Sequence, residues 1–275
     1  MADYGTYASL TDLKSALTIT DTSDDAELLR LLGMASRVID RHCGRWFYAR
    51  TETHYPQAMG GICLNAGADL LSVTTLKMDA DRDATFECTL ASGTDYVLYP
   101  YGDQEYPKLQ VNLDTRQGAY TYWPRGMMSV QIAGVWGHGD GHRASPFDTT
   151  ALTGTVATAA GTTLAVSATT GLEAGQNILI GTEQMYVTAI GTLQATVVRG
   201  INGTTAVAHD TAAISIAAYP EPVIEACMIE AARLWKRKDS AFSYVYGNNE
   251  LGVVQAGRGL DKDAAELLQT FIRWI

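Results

Sequence analysis

Several things are scarce in this 275-residue chain, and each scarcity removes a class of function. Its four cysteines, Cys43, Cys63, Cys88 and Cys227, are far apart and include no C-x-x-C pair, so neither a zinc knuckle nor a thiol redox motif is expected, and buried reduced thiols are the simpler reading. No dense lysine or arginine run occurs, and 30 acidic residues against 20 basic give a formal charge of -10. Tight nucleic-acid binding needs cations that displace phosphate counterions, so a dedicated DNA-binding protein is disfavoured, although an acidic wall past which a duplex slides is not. No stretch approaches the roughly 20 apolar residues of a membrane span, and the first residues lack the basic and apolar regions of a secretory leader. A soluble protein made in the cytoplasm is expected.

Motifs for chemistry are missing too. The glycines of Gly137-His138-Gly139-Asp140-Gly141 have neither a strand-to-helix context nor a following Lys-Ser/Thr, so they form no nucleotide loop. His138 and His142 have helical metal spacing, but the intervening glycines favour a solvated loop. Asp79, Asp81 and Asp83 alternate as calcium ligands do, yet Ala84 and Thr85 stand where that loop needs other residues, so a polar hairpin turn is preferred. No G-x-S-x-G is present, and Cys43 beside His42 on a helix points away from it. Asn202-Gly203-Thr204 reads as a type I′ turn before a glycosylation site. Neither catalysis, a cofactor nor a metal is expected.

What is present is a helix pair at the start. Ser9 and Asp12 stand at capping-box spacing before a helix over 10–17, and Thr22-Ser23-Asp24-Asp25 supplies oxygens and negative charge for a second start. From there Leu28, Leu31, Leu32, Ala35, Val38 and Ile39 form one apolar stripe, which Gly44 should end. Strand-like runs follow at 47–55, 71–78, 96–99, 109–113 and 129–136.

Composition then breaks. Residues 150–217 contain only four charged side chains, Glu173, Glu183, Arg199 and Asp210, and are rich in threonine, alanine and glycine. Short β-type runs at 163–167, 177–180, 185–190, 196–199 and 213–216 alternate with turn signals, as in a small barrel or sandwich inserted at a surface loop of its host. A helix over 223–237 resumes after Pro222, a glycine-rich stretch over 246–259 reads as an exposed arm or loose hairpin, and a last helix starts at Lys262, capped by Asp261. The expected fold is α+β: a helical-bundle host, made by the N-terminal pair and the C-terminal helices, with a β-rich middle and an inserted all-β barrel or sandwich. The expected domains are 1–149, the insert 150–217, and 218–275.

With these elements placed, the chain resembles the head-tail adaptor (connector) proteins of long-tailed bacteriophages. The resemblance rests on Leu10-Thr11-Asp12-Leu13-Lys14, on Ile39-Asp40-Arg41 with Gly44-Arg45-Trp46-Phe47, on Asp69-Leu70-Leu71-Ser72-Val73-Thr74-Thr75-Leu76, on Asp95-Tyr96-Val97-Leu98-Tyr99-Pro100, on Val135-Trp136-Gly137, and on Gly259-Leu260-Asp261 with Leu267-Leu268 and Phe271-Ile272-Arg273. It covers 9–147 and 218–275 and leaves the insert outside. It implies a virion structural protein of the neck, a subunit of a twelvefold ring beneath the portal that extends the DNA channel and joins head to tail. The implied partners are the portal, a stopper or tail-completion protein and further copies of itself, with DNA passing through without specific binding and 150–217 turned toward capsid or fibres. In the family the C-terminal segment reaches the portal, which here places portal docking on Asp261, Leu267, Leu268, Phe271, Ile272, Arg273, Trp274 and Ile275. Two other readings stand beside it. One is a different neck, tail-completion or decoration protein whose β-insert binds the partner. The other is a carbohydrate-binding or hydrolytic module, suggested by Trp123, Trp136 and the fourteen tyrosines.

Overall fold

A computed structural model describes residues 5–237, 245–248, 252–255 and 259–273. The helical-bundle host expected from the sequence is overturned: among the described residues strand accounts for 34% and helix for 21%, with four α-helices and a closed six-stranded barrel. Two compact units are present, Trp46–Pro146 and the flanking stretches up to Arg45 and from Phe147 onward. A bundle would need several long helices sharing one core. Here only α2 (Asp25–Cys43) and α3 (Glu221–Lys236) are long, while α1 (Leu10–Leu17) and α4 (Lys262–Leu268) are short.

The helix ends follow their local chemistry. Ser9 Oγ accepts the Asp12 amide (3.1 Å) and also donates to the Asp12 carboxylate (2.8 Å), a shortened capping box that starts α1. Gly44 closes α2 in the left-handed region (φ 64°), where a Cβ would be strained. Pro222 lies in the first turn of α3, where its missing N–H costs nothing. Leu28, Leu31, Leu32, Ala35 and Ile39 of α2 are buried, as are Val223, Ala226, Cys227 and Ala231 of α3, and the two helices pack together with Ser36 Oγ 3.5 Å from Cys227 Sγ. Apolar burial pushes the Cys227 thiol up to about 11 and the Cys43 thiol up to about 12, so both are structural.

In the same unit, β7 (Phe147–Val156), β8 (Thr163–Val166), β9 (Asn177–Ile180), β10 (Glu183–Gly191), β11 (Gln194–Val198) and β12 (His209–Ala217) close into a barrel in the order β10-β11-β8-β7-β12-β9, every pair antiparallel. Closure removes the exposed sheet edges that so charge-poor a segment could not protect with lysines. Its interior is aliphatic, with Leu164, Ile178, Ile180, Met185, Val187, Ala195 and Ile214 inaccessible. The barrel is stitched to the helices by the segment before α1. Thr6 Oγ1 donates to the Gly175 carbonyl (2.6 Å), the Leu10 amide donates to the Ala174 carbonyl (3.0 Å), and the Tyr7 ring meets Tyr219 edge-on.

The other unit is one antiparallel sheet ordered β1-β6-β2-β5-β4, with β3 on the far half of β2. The strands are β1 (Arg50–His54), β2 (Cys63–Met78), β3 (Cys88–Leu90), β4 (Tyr96–Tyr99), β5 (Lys108–Leu113) and β6 (Val130–Trp136). β6 alternates buried and half-buried residues along its whole length, and its Ile132 and Trp136 join Trp123, Leu64, Leu70, Leu76 and Val111 in the core. Both tryptophans are fully buried, so neither offers a sugar-stacking face. Gly134 lies where β6 passes close to β2: a Cβ there would stand 2.1 Å from the Ser72 carbonyl oxygen, so no larger residue keeps this register.

In the glycine-rich stretch, β13 (Val245–Asn248) and β14 (Gly252–Gln255) pair as an antiparallel hairpin. The rest of the expected arm lies outside the described residues. No helix among the described residues is long and apolar enough to cross a membrane.

Candidate functional site

The terminal segment folds back onto its own unit. Asp261 caps α4 by accepting the Asp263 amide (3.0 Å), and its own amide donates to Glu230 Oε2 (3.3 Å) on α3. Glu230 is itself buried and held by Arg233 (2.6 Å), which also donates to the Gly259 carbonyl. Ala264 and Leu268 are inaccessible, and the Arg273 amide donates to the Cys43 carbonyl at the end of α2 (2.8 Å). Of the residues assigned to portal docking, Leu268 is therefore spent internally. Leu267 is exposed, Phe271, Ile272 and Arg273 are half-buried, and Trp274 and Ile275 lie outside the described residues.

The sheet unit carries a crown of exposed apolar side chains that no pattern in the sequence singles out. Two loops run side by side there, joined by the Ala58–Gly126 bridge, by the Trp123 amide donating to the Gly61 carbonyl (2.9 Å), by Trp123 Nε1 donating to the Ile62 carbonyl (3.0 Å) and by Arg125 Nε donating to the Met59 carbonyl (3.1 Å). These backbone and side-chain ties hold Met59 (72% exposed), Met127 (84%), Met128 (61%) and Tyr122 (64%) toward solvent. Four large apolar groups gathered on rigid loops are characteristic of a protein contact surface, and methionine adapts to many partner shapes.

Beside the crown, at the end of β2, lies the acidic loop. Asp79, Asp81, Asp83 and Glu87 bring carboxylate oxygens within 4.8 Å of one another, the one such gathering among the described residues. The buried carboxylate of Asp79 accepts the amides of Arg82 (2.6 Å), Asp83 (3.2 Å) and Ala84 (2.9 Å), and Glu87 accepts that of Ala80 (2.9 Å). The oxygens of Asp79 thus serve the turn itself, as expected of a polar turn. The two histidines of the glycine loop part company: His138 is buried against Phe47 (5.2 Å between centroids), whereas His142 is exposed. Asn202 and Gly203 both take positive φ (55° and 79°), as a type I′ turn requires.

Two further polar centres carry no motif by which the sequence announces them. In the barrel, Glu183 is inaccessible and gathers five donors: Arg199 Nε (2.6 Å) and Nη2 (2.7 Å), the amides of Gly200 (3.0 Å) and Val207 (3.1 Å), and His209 Nε2 (2.9 Å). Burial alone would raise its pKa, but these donors outweigh it and hold the carboxyl down at about 2. Arg199 also donates to the carbonyls of Thr158 (3.1 Å) and Gly161 (2.9 Å) in the β7–β8 connection, so one ion pair ties that turn to the barrel wall, together with Val207 in the long connection before β12. The available signal was scarcity, since Glu183 and Arg199 are half of the four charges in 150–217. In the sheet unit, the nearly inaccessible Lys108 donates to the carbonyls of Pro100 and Gly102 (both 2.7 Å), and its ammonium lies 4.6 Å over the Tyr106 ring. Desolvation lowers its pKa, while nearby Glu105 and Asp103 act the other way.

A cavity of about 1270 Å³ opens between the α1–α2 pair and the barrel. Ile19, Leu29, Met34, Leu172 and Ile190 line it, with Lys14 tied to Asp25 (2.6 Å) and Arg30 to Glu27 (2.6 Å) at its polar margin. No protein-family model matches this chain, and no curated protein is significantly similar to it.

Proposed function

We propose that the chain is a structural subunit of a bacteriophage neck, a head-tail adaptor that assembles as a ring beneath the portal, extends the DNA channel and has no catalytic role. The observation that carries this reading is the methionine-rich crown: rigid loops spend apolar side chains on solvent exposure, which is costly unless a partner covers them. The buried charged centres support it from the other side, because Glu183, Lys108 and the Glu230–Arg233 pair each hold a loop or helix in place. Order and spacing of the adaptor-like motifs supply the assignment to the neck. The partners are the portal, a stopper or tail-completion protein and further copies of the chain, with DNA passing an acidic surface without specific binding. Leu267, Phe271, Ile272 and Arg273 are the described terminal residues left available for the portal, together with Trp274 and Ile275 by sequence. The barrel exposes single apolar side chains on separate loops, Leu193 (57% exposed) after β10 and Val207 (42%) before β12, and we assign residues 150–217 to capsid or fibre contact.

Mixing the purified chain with its cognate portal and viewing the product by negative-stain microscopy tests this. The expected image is a portal extended by an added ring. Portals that remain bare at excess chain sink the adaptor assignment.

A further inference from the structure

The loop between β4 and β5 is built more expensively than a surface connection requires. A lysine ammonium is withdrawn from water without a carboxylate in contact, and its hydrogen bonds are spent on two backbone carbonyls of the same loop. The loop is pinned at three further points. Asn112 Nδ2 donates to the Tyr101 hydroxyl (3.1 Å), the Glu105 amide to the Gly102 carbonyl (3.3 Å), and the Tyr106 amide to the Gly141 carbonyl (3.4 Å). So fixed, the loop presents Tyr101 (64% exposed) against Tyr99 (41%), with ring centroids 5.2 Å apart and planes at 78°. Asp103 and Glu105 are exposed beside them, the positive charge of Lys108 is turned inward, and that of Arg116, the other cation near Tyr101, is paired with Asp114 (2.8 Å). Rigid tyrosines give large amphipathic contact area at little entropic cost, and carboxylates beside aromatic faces suit a guanidinium, which can stack and pair at once.

The same chain carries a matching group. Arg41 lies on the last turn of α2, exposed, and makes no ion pair among the described residues. In a chain of net charge -10, copies repel one another unless carboxylates of one meet cations of the next.

We propose that the loop from Tyr99 to Lys108 is a self-docking surface that receives Arg41 of a second copy, its guanidinium against the Tyr101 ring and its charge met by Asp103 and Glu105. Such a contact is head-to-tail, the kind that rings require. It rests on the adaptor reading only in taking another copy as the occupant.

Charge exchange tests it, read by sedimentation velocity of the full chain over a concentration series and, in parallel, by ring formation on the cognate portal. The double reversal Asp103→Arg with Glu105→Arg should weaken self-association by about tenfold or more, and Arg41→Glu should do the same. Combining all three should restore it, while Tyr101→Ala should weaken it by about thirtyfold. Arg41 is exposed and, among the described residues, unpaired, so Arg41→Glu should leave the melting curve unmoved. The loop variants, which take the acceptor from Asn112 or the negative charges from near Lys108, should melt lower. Recovery of association in the triple variant, which keeps that lower melt, reads docking apart from folding. Reversals without effect, or singles that weaken with no recovery in the combination, overturn the proposal, as does a wild-type chain monomeric both free and with portal. Self-association that follows the charge pattern in a chain that never binds portal sinks the adaptor reading alone. Rings on the portal that ignore the reversals sink the docking surface alone.

Discussion

Replacing Glu183 by alanine is expected to cost the barrel about 3–5 kcal/mol, because Arg199 and His209 would remain in place with their shared carboxylate gone. Against a total stability of roughly 5–15 kcal/mol for a typical domain, that is enough to unfold much of the population near physiological temperature. Glu183→Gln keeps acceptor and shape but leaves the guanidinium uncompensated, so a smaller loss is expected. The effect should also be visible in the wild type as a pH dependence. The folded carboxyl titrates at about 2 and its ordinary value is 4.5, so the unfolded chain takes up the proton first as the solution is acidified. The contribution, about 3 kcal/mol, is complete above the unfolded value and is lost as pH falls toward the folded one. Urea denaturation followed by circular dichroism at neutral pH and at about pH 3 measures both. Variants within about 0.5 kcal/mol of wild type, or a barrel whose stability stays flat over that acid range, would show that the five donors do not stabilise the fold.

Removing 261–275 is the second change with a large expected effect. Because α4 buries Leu268 and Ala264 and ties Asp261 to Glu230 and Arg273 to Cys43, the truncated chain should lose about 3–5 kcal/mol, combining lost apolar burial with a carboxylate that has lost an amide partner. Truncation would therefore confuse folding with docking. Leu267→Asp separates them, since Leu267 is exposed: its melting temperature should match wild type while portal binding falls. A truncated chain with wild-type stability would show that α4 contributes nothing to the unit it packs on. A Leu267→Asp variant that binds portal normally would move the docking site elsewhere.

Local chemistry was the legible part of this chain. The capping oxygens of Ser9 and Asp261, the stripe on α2, Pro222 and Gly44 each act over one or two turns, and the corresponding helix ends lie where those residues stand. What misled was weighting. Four helices with clear signals suggested a helical host, whereas β2 hides its first half in Ala66, Gly67, Ala68 and Asp69, with a register slip between Asn65 and Leu70. Alanine and glycine have little strand preference, and that half is held by pairing with β5, which no local pattern reveals. The barrel's turns and short runs were visible, but its closure and its seam with residues 6–10 depend on pairings between distant parts of the chain, Thr6 with Gly175 and Leu10 with Ala174 among them. Deleting 150–217 would therefore strip Thr6 and Leu10 of their partners, a loss that excising a freely inserted domain would not cause.

Much of the candidate site was illegible for the same reason. Met59 and Met127 are unremarkable singly and form a surface only because Ala58 meets Gly126. Lys108 reads as one more exposed cation until the loop curls back over it. Glu183 and Arg199 could have been paired by scarcity alone, since opposite charges isolated in an apolar segment have few other ways to be buried.

Whether this chain builds a ring on a portal can be read from native mass spectrometry of the full chain mixed with its cognate portal. An adaptor gives a single complex carrying one copy of the chain per portal subunit, with no substoichiometric species at saturation. Separate masses for portal and chain, or a chain that remains a monomer or trimer at every ratio, would contradict it.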